Sequence, residues 1–352
     1  MKRIYINGRF LSQKITGVQR YAEEITKSLD NLLNEKKEYE YIILVPKNVI
    51  RNLSLKNIKI KEVGYLKGHL WEQIELPFYS KNGILLNFCG CAPIIKKNQM
   101  ITIHDAAVCV MPKSFSFLFR NWYKLMFYIV GKRVKKVFTV SEFSKKEINK
   151  YFDIPLDKIE ITYNGIEHMK TIKPDKKIFT KFNIVENNYV LAVSSLNPSK
   201  NFKLILEAAK ISPEINFIIA GGTNSDVFKE QGLEITSNVK FIGYVNDEEL
   251  ITLYKYASCF VYPSIYEGFG IPPIEAMFCG CPVIVSSIDV LIEICGKGAL
   301  YCDVKDADNL INKIQQIYNN IINVDGLIEE GKKNIKKYKW DNSARKIIKF
   351  LR

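Results

Sequence analysis

Long apolar runs are missing from this chain of 352 residues. No stretch approaches the roughly 18 uncharged apolar residues that a membrane-spanning helix needs, so no transmembrane segment is expected. The opening, Met1-Lys2-Arg3-Ile4-Tyr5-Ile6-Asn7-Gly8, is too short in its apolar part for a secretory leader and reads as a first strand. Histidine is scarce, with three residues, and none of the eight cysteines forms a C-x-x-C pair. Cys89/Cys91 and Cys279/Cys281 are spaced C-x-C among apolar or small neighbours. No metal centre is expected, and the cysteines read as reduced core thiols of a cytoplasmic protein. Acids are scarce at both ends. Residues 1–170 hold 29 Lys and Arg against 16 Asp and Glu (+13), 171–330 hold 13 against 20 (−7), and 331–352 hold nine against one (+8). Nucleic acid and an anionic membrane surface are the two partners such basic ends suggest.

What is present centres on residues 259–285, CFVYPSIYEGFGIPPIEAMFCGCPVIV. The run 259–262 suits a buried parallel strand. A loop follows over 263–271. Pro272 and Pro273 then open a helix, where a missing N–H costs nothing. Glu275 is expected in the first turn, at the positive end of the dipole. Gly280 closes the helix and 282–285 starts the next strand. In sheets built of such units, ligands bind at the carboxyl edge of the strands. Gly268 and Gly270, on either side of Phe269, let a ligand approach the backbone. The N–H groups of the helix start suit an anion or a sugar hydroxyl. Glu275 can accept from a ribose and Glu267 from a sugar hydroxyl. The alternative is a capped helix with an incidental acid before it.

Short apolar strands alternate with helices along the whole chain, which predicts an α/β protein with a doubly wound parallel sheet in each half. The polar, Lys-rich residues 168–187 read as the linker. The domains are expected at 1–170 and 171–330, followed by a basic helix over 331–352 interrupted near Trp340-Asp341. Gly17 precedes a helix over 18–33. A strand over 100–103 ends at His104-Asp105, and polar residues at that position are site candidates. The alternative for His104 is a ring that satisfies a loop carbonyl. Asp105 orients His104 or caps the next segment. Residues 115–137 mix Phe, Trp and Tyr with Arg and Lys, which suits either a membrane-surface helix or a core helix with a basic face. Tyr163-Asn164-Gly165-Ile166 contains a good turn and marks the domain boundary. Lys200 begins a helix over 202–211 and opposes its dipole, so a diphosphate is its natural partner, with a solvated surface Lys as the alternative. Tyr244 follows a strand over 239–243. Asp306-Ala307-Asp308 has the D-x-D form but opens a helix over 308–321, and it reads as a cap.

The segment E-G-F-G-I-P-P-I-E resembles the paired-glutamate motif of the retaining family 4 glycosyltransferases of GT-B fold. T-G-V-Q-R-Y, W-E-Q, His104, Tyr163-Asn164-Gly165-Ile166 and Lys200 resemble that family in the same order, so the similarity spans nearly the whole chain. It implies two Rossmann-like domains facing across a cleft, with the final helix crossing back onto the first. That would place about +21 on one half and −7 on the other. The resemblance implies a hexose (mannose, glucose-type or rhamnose) moved from a GDP-, UDP- or dTDP-linked donor, with no metal or other cofactor. Glu275 would hold the ribose, Lys200 and Ser195 the diphosphate, and Glu267 with the N–H groups of Gly268 to Gly270 the sugar. Tyr244 would lie beside the base. Gly17 would face the phosphates and His104 the sugar, both from the first domain. Many members carry Arg where this chain has Ser195, and Arg9 or Arg20 are candidates for the missing cation. The implied acceptor is a lipid-diphosphate-linked oligosaccharide of a bacterial O-antigen or capsule. The basic first domain and last helix would rest on the anionic inner face of the plasma membrane. The other readings are a GT-B epimerase or phosphorylase relative, a basic nucleic-acid-binding protein that charge alone suggests, and a sugar-binding scaffold. No nucleic-acid motif is present.

Overall fold

The computed structural model describes residues 2–33, 39–194, 197–221 and 235–351. The chain forms two units, Met1–Gly165 with Tyr338–Arg352, and Ile166–Lys337.

The first unit is built on strands β1 (Lys2–Asn7), β2 (Tyr39–Val45), β3 (Lys59–Glu62), β4 (Gly83–Asn87), β5 (Gln99–Thr102), β6 (Lys136–Thr139) and β7 (Ile159–Ile161). They lie in the order β3-β2-β1-β4-β5-β6-β7, and every neighbouring pair is parallel. A parallel sheet must be covered on both faces, so its inner strands are largely apolar, while the edge strand β3 is exposed. Ile101, Ile103 and Val137 pack against Met126 and Val130 of one helix, α2 (Phe117–Arg133), and Ile148 and Phe152 of another, α3 (Glu142–Phe152). Ser141 caps α3 by accepting from the Ser144 N–H at 3.0 Å, as expected of a residue before the first apolar turn. Elsewhere Tyr5, Leu44 and Leu85 surround Trp71, whose Nε1 donates to the Val63 carbonyl at 2.8 Å.

The second unit carries β8 (Val190–Ser194), β9 (Phe217–Gly221), β10 (Val239–Gly243), β11 (Cys259–Tyr262), β12 (Val283–Ser286) and β13 (Leu300–Cys302). Their order is β10-β9-β8-β11-β12-β13, again all parallel. Counted within the unit this is 3-2-1-4-5-6, the Rossmann order. Val190, Ala192, Phe217 and Ile219 pack against Phe202 and Leu206 of a helix at Phe202–Ile211, and Val261 and Ile284 share that core with Leu310 and Ile314. The helix at Asp247–Lys255 starts with a full capping box between Asn246 and Glu249.

Three expectations change. Residues 168–187 are not a plain linker: a 3-10 turn spans Glu167–Thr171 and a short helix Lys177–Phe182, whose Ile178 and Phe179 are buried. The first unit ends at Gly165. The last basic segment is two helices, Val324–Asn334 and Trp340–Leu351, joined by a 3-10 turn at Ile335–Lys337. Only the part from Tyr338 belongs to the first unit. The charge therefore divides as 33 Lys and Arg against 16 Asp and Glu in the first unit (+17), and 18 against 21 in the second (−3).

The helix Trp340–Leu351 buries Trp340, Ser343, Ala344, Ile347 and Leu351 along one stripe and packs against the helix Gly17–Leu32. Its polar atoms are also engaged. Ser343 Oγ donates to the Tyr163 carbonyl at 2.7 Å and Lys346 Nζ to that of Ile161 at 2.8 Å.

Candidate active site

In the second sheet the strand order reverses between β8 and β11, and the loops after these strands flank the crevice where ligands of such sheets bind. The two loops are joined to each other. Asn201, held in the left-handed region at φ 56°, donates from Nδ2 to the Pro263 carbonyl at 3.1 Å and the Val304 carbonyl at 2.8 Å. The Ile265 N–H donates to the Ser199 carbonyl at 2.8 Å. Asn197 accepts from the Ser199 N–H and starts the short turn Pro198–Lys200.

That frame brings Lys200 and Glu267 together. Lys200 Nζ lies 2.6 Å from Glu267 Oε1 and 3.0 Å from the Tyr262 hydroxyl, and both charged side chains are largely buried. Burial alone would lower the Lys200 pKa, but the Glu267 charge and Tyr262 outweigh it and raise it above the ordinary value. Lys200 is thus a permanent cation at the crevice. It is not a solvated surface residue.

Glu275 is also buried. The helix that carries it runs Ile271–Phe278, with Gly270 as its cap. Glu275 is therefore in the second turn and not the first, because the helix starts one residue before Pro272. What holds the carboxylate is a pair of side chains rather than helix-start N–H groups. His168 Nε2 is 3.1 Å from Oε1, and the Tyr254 hydroxyl donates to Oε2 at 3.3 Å. Gly270 has φ +95°, and a Cβ there would lie 2.7 Å from Leu291 Cδ2. A side chain at this position would therefore collide with Leu291, so packing alone requires glycine here. Phe269 is buried. Tyr244 is 65% exposed after β10. Ser195 lies outside the described residues. Asp306 accepts from the Asn309 N–H at 2.9 Å and caps a helix at Ala307–Tyr318, as its reading as a cap requires.

In the first unit, Gly17 is the first residue of the helix Gly17–Leu32. His104 follows β5, its Nε2 2.8 Å from the Phe88 carbonyl and its ring edge-on to Tyr21 at 4.9 Å. A carbonyl only accepts, so Nε2 carries the proton and Nδ1 is an acceptor in the neutral ring. The loop-carbonyl reading of His104 is realised, and it leaves the other nitrogen available. Asp105 accepts from the Ala107 N–H at 2.8 Å and so caps the next turn. Burial lowers the His104 pKa from 6.5 to about 4. The folded state thus prefers the neutral ring, and the stability it contributes is present above pH 6.5 and lost as pH falls through 4. At about 1.4 kcal/mol per unit, and discounted for partial exposure, the loss is about 2 kcal/mol. Thermal melts of wild type and His104→Phe between pH 7 and 4 should show a steeper fall for wild type; parallel curves would refute the assignment.

Sequence reasoning missed a second polar cluster, where the first sheet reverses between β1 and β4. Asn7 Nδ2 donates to Glu72 Oε1 at 2.9 Å and Asn87 Oδ1 at 3.2 Å. Arg9 Nε lies 3.0 Å and His69 Nδ1 3.3 Å from Glu72 Oε2. Burial alone would raise the Glu72 pKa, but His69, Arg9 and Asn7 together hold it below its usual value. Cys91 joins His69 and Glu72 with ligand atoms within 4.8 Å of one another, a grouping that a count of histidines did not suggest. Arg9 already supplies the countercharge to Glu72, so it is not an idle substitute for the cation absent at Ser195.

Two Rossmann-like parallel sheets are what a GT-B glycosyltransferase requires, and the relatives supply the class. The model of the glycosyl transferases group 1 family matches residues 174–334. The O-antigen chain mannosyltransferase RfbU of Salmonella typhimurium is 30% identical over 316 residues, covering 88% of this chain and 85% of that protein. The O-antigen chain mannosyltransferase B of Escherichia coli is 31% identical over 226 residues, covering 61% and 59%. Among solved structures, Anabaena HepE in complex with UDP-glucose superposes with a TM-score of 0.75 at 15% identity, over 99% of both chains. WaaG, a glycosyltransferase involved in lipopolysaccharide biosynthesis, gives 0.70 at 15%, over 100% and 99%. The chain belongs to the group 1 glycosyltransferases.

Proposed function

We propose that this glycosyltransferase moves a mannosyl residue from GDP-mannose, with retention, to a hydroxyl of a growing O-antigen oligosaccharide on a lipid diphosphate. The observation that carries the donor site is the Lys200–Glu267 contact of 2.6 Å at the switch point, a buried cation beside a carboxylate where a sugar diphosphate presents both anion and hydroxyls. Mannose and O-antigen come from the names of the relatives. Lys200 offsets charge developing on the departing diphosphate, Glu267 accepts from sugar hydroxyls, and Glu275 accepts from the ribose. Ser195, Tyr244 and the N–H groups of Gly268 to Gly270 complete the donor contacts. In the first unit, the neutral His104 offers Nδ1 as an acceptor. The leaving phosphate oxygen receives the acceptor proton, so no side chain acts as general base, and Lys200 takes the place of a metal.

We place the enzyme at the inner face of the plasma membrane. Among the described residues no helix is long and apolar enough to cross a membrane. Phe117, Leu118 and Leu125 of α2 are exposed, Leu118 at 80%, on a unit of charge +17. Apolar side chains on a basic surface suit an anionic bilayer.

The test is nucleoside diphosphate release from GDP-mannose, UDP-glucose and dTDP-rhamnose, with chelator, with and without a lipid-diphosphate oligosaccharide. GDP release from GDP-mannose that rises with acceptor and persists in chelator, with an α-linked product by NMR, is the expected result. Release from another donor, an inverted anomer, or a divalent-ion requirement would each overturn the corresponding part.

A further inference from the structure

We infer that His168 is a positioning residue for nucleotide binding: it fixes the Glu275 carboxylate so that the remaining lone pairs meet the ribose diol. The inference rests on the reading of Glu275 as the ribose acid. An ionised carboxylate offers about four acceptor positions. Glu275 uses one on each oxygen inside the protein, Oε1 toward His168 Nε2 at 3.1 Å and Oε2 toward the Tyr254 hydroxyl at 3.3 Å. One position per oxygen is left, which matches two adjacent hydroxyls. A carboxylate held at only one oxygen can turn about its last bond and lose that match.

The three side chains come from three separate places in the second unit. Glu275 is on the helix Ile271–Phe278, Tyr254 on the helix Asp247–Lys255, and His168 on the 3-10 turn Glu167–Thr171 that opens the unit. The His168 side chain is 4% exposed and that of Glu275 10%. Water therefore cannot readily replace the imidazole if it is removed. The carboxylate can only accept, so the proton of this bond sits on Nε2. His168 thus has a geometric requirement, a donor at the reach of Nε2, that a merely space-filling residue lacks.

The experiment measures binding of GDP and 2′,3′-dideoxy-GDP, and of UDP and its dideoxy form, by calorimetry to the full-length protein. His168→Met keeps the volume and removes the donor. His168→Gln restores a donor at similar reach. Wild type should prefer the ribonucleotide by about 30-fold, since hydrogen bonds to a charged group are the strong ones. His168→Met should narrow the preference to about 5-fold by weakening only the ribonucleotide, and His168→Gln should recover most of it. If His168→Met keeps the wild-type preference while Glu275→Gln loses it, the positioning role is overturned. If Glu275→Gln keeps the preference, or neither ribonucleotide binds, the ribose reading itself is overturned. Should His168→Met fold poorly, His168→Gln against His168→Asn, whose amide stops one methylene short, reads the same donor geometry.

Discussion

Lys200→Met is expected to lower kcat for donor turnover by about 10² to 10³-fold, the usual loss when one preorganised group facing developing charge is removed. The geometry makes this variant informative about stability as well. Lys200 Nζ sits 2.6 Å from Glu267, whose side chain is 11% exposed. Truncating the cation leaves that carboxylate buried without its partner, at a cost of about 3 kcal/mol. The double variant Lys200→Met/Glu267→Gln removes the stranded charge as well. It should recover most of the stability and none of the activity. Denaturant unfolding and nucleoside diphosphate release on the same samples separate the two effects. Wild-type turnover in Lys200→Met would remove Lys200 from the mechanism. A double variant as unstable as the single would show that the stranded Glu267 charge is not the source of the loss.

Trp340→Ala should destabilise the first unit by about 3 to 5 kcal/mol, the range for deleting a buried Trp or Phe. Trp340 is buried and meets Tyr21 edge-on at 5.9 Å, in the seam between the last helix and the helix Gly17–Leu32. Tyr21 in turn contacts His104 and shares a hydrogen bond of 2.7 Å with Thr162. The loss should therefore reach the His104 loop. Lys349→Ala, on the exposed side of the same helix, should change stability by no more than about 0.5 kcal/mol. The comparison is made by following the unfolding transition with increasing urea. A small effect of Trp340→Ala would mean that the last helix contributes little to the unit it belongs to.

What could be read from the sequence was local. Strands β10 and β11 and the helix at Phe202–Ile211 fall on the residues the apolar pattern marks, and Ser141 caps the helix its hydroxyl predicts. Lys200 and Glu267 were legible as candidates because each breaks a local rule, a cation at a helix start and an acid in a glycine-rich loop. Their contact, 67 residues apart in sequence, was not. His168 was missed because it falls in the polar stretch read as a linker, and its partner lies 107 residues away. Glu72 lies in the W-E-Q segment the sequence marked, but its contact with Asn7, and that of Asn7 with Asn87, at separations of 65 and 80, could not be read from it. The helix Lys177–Phe182 was hidden by its lysines, since only two of its six residues are buried. The break near Trp340 was seen in the sequence. Which unit the lysines before it join depends on packing that a charge count cannot supply.

The first unit takes its residues from two stretches with the whole second unit between them, which sets an order of events during synthesis. Domains fold as their residues emerge, usually the N-terminal one first. Here residues 1–165 emerge early but remain one helix short, with the Tyr21 face uncovered, until the helix Trp340–Leu351 is free. The second unit, continuous from Ile166 to Lys337, is complete before that point. The unit begun first is therefore the one finished last. A premature stop before Trp340 would leave the second unit attached to a first unit with an open apolar seam, a product prone to aggregation or proteolysis rather than a slightly shortened enzyme.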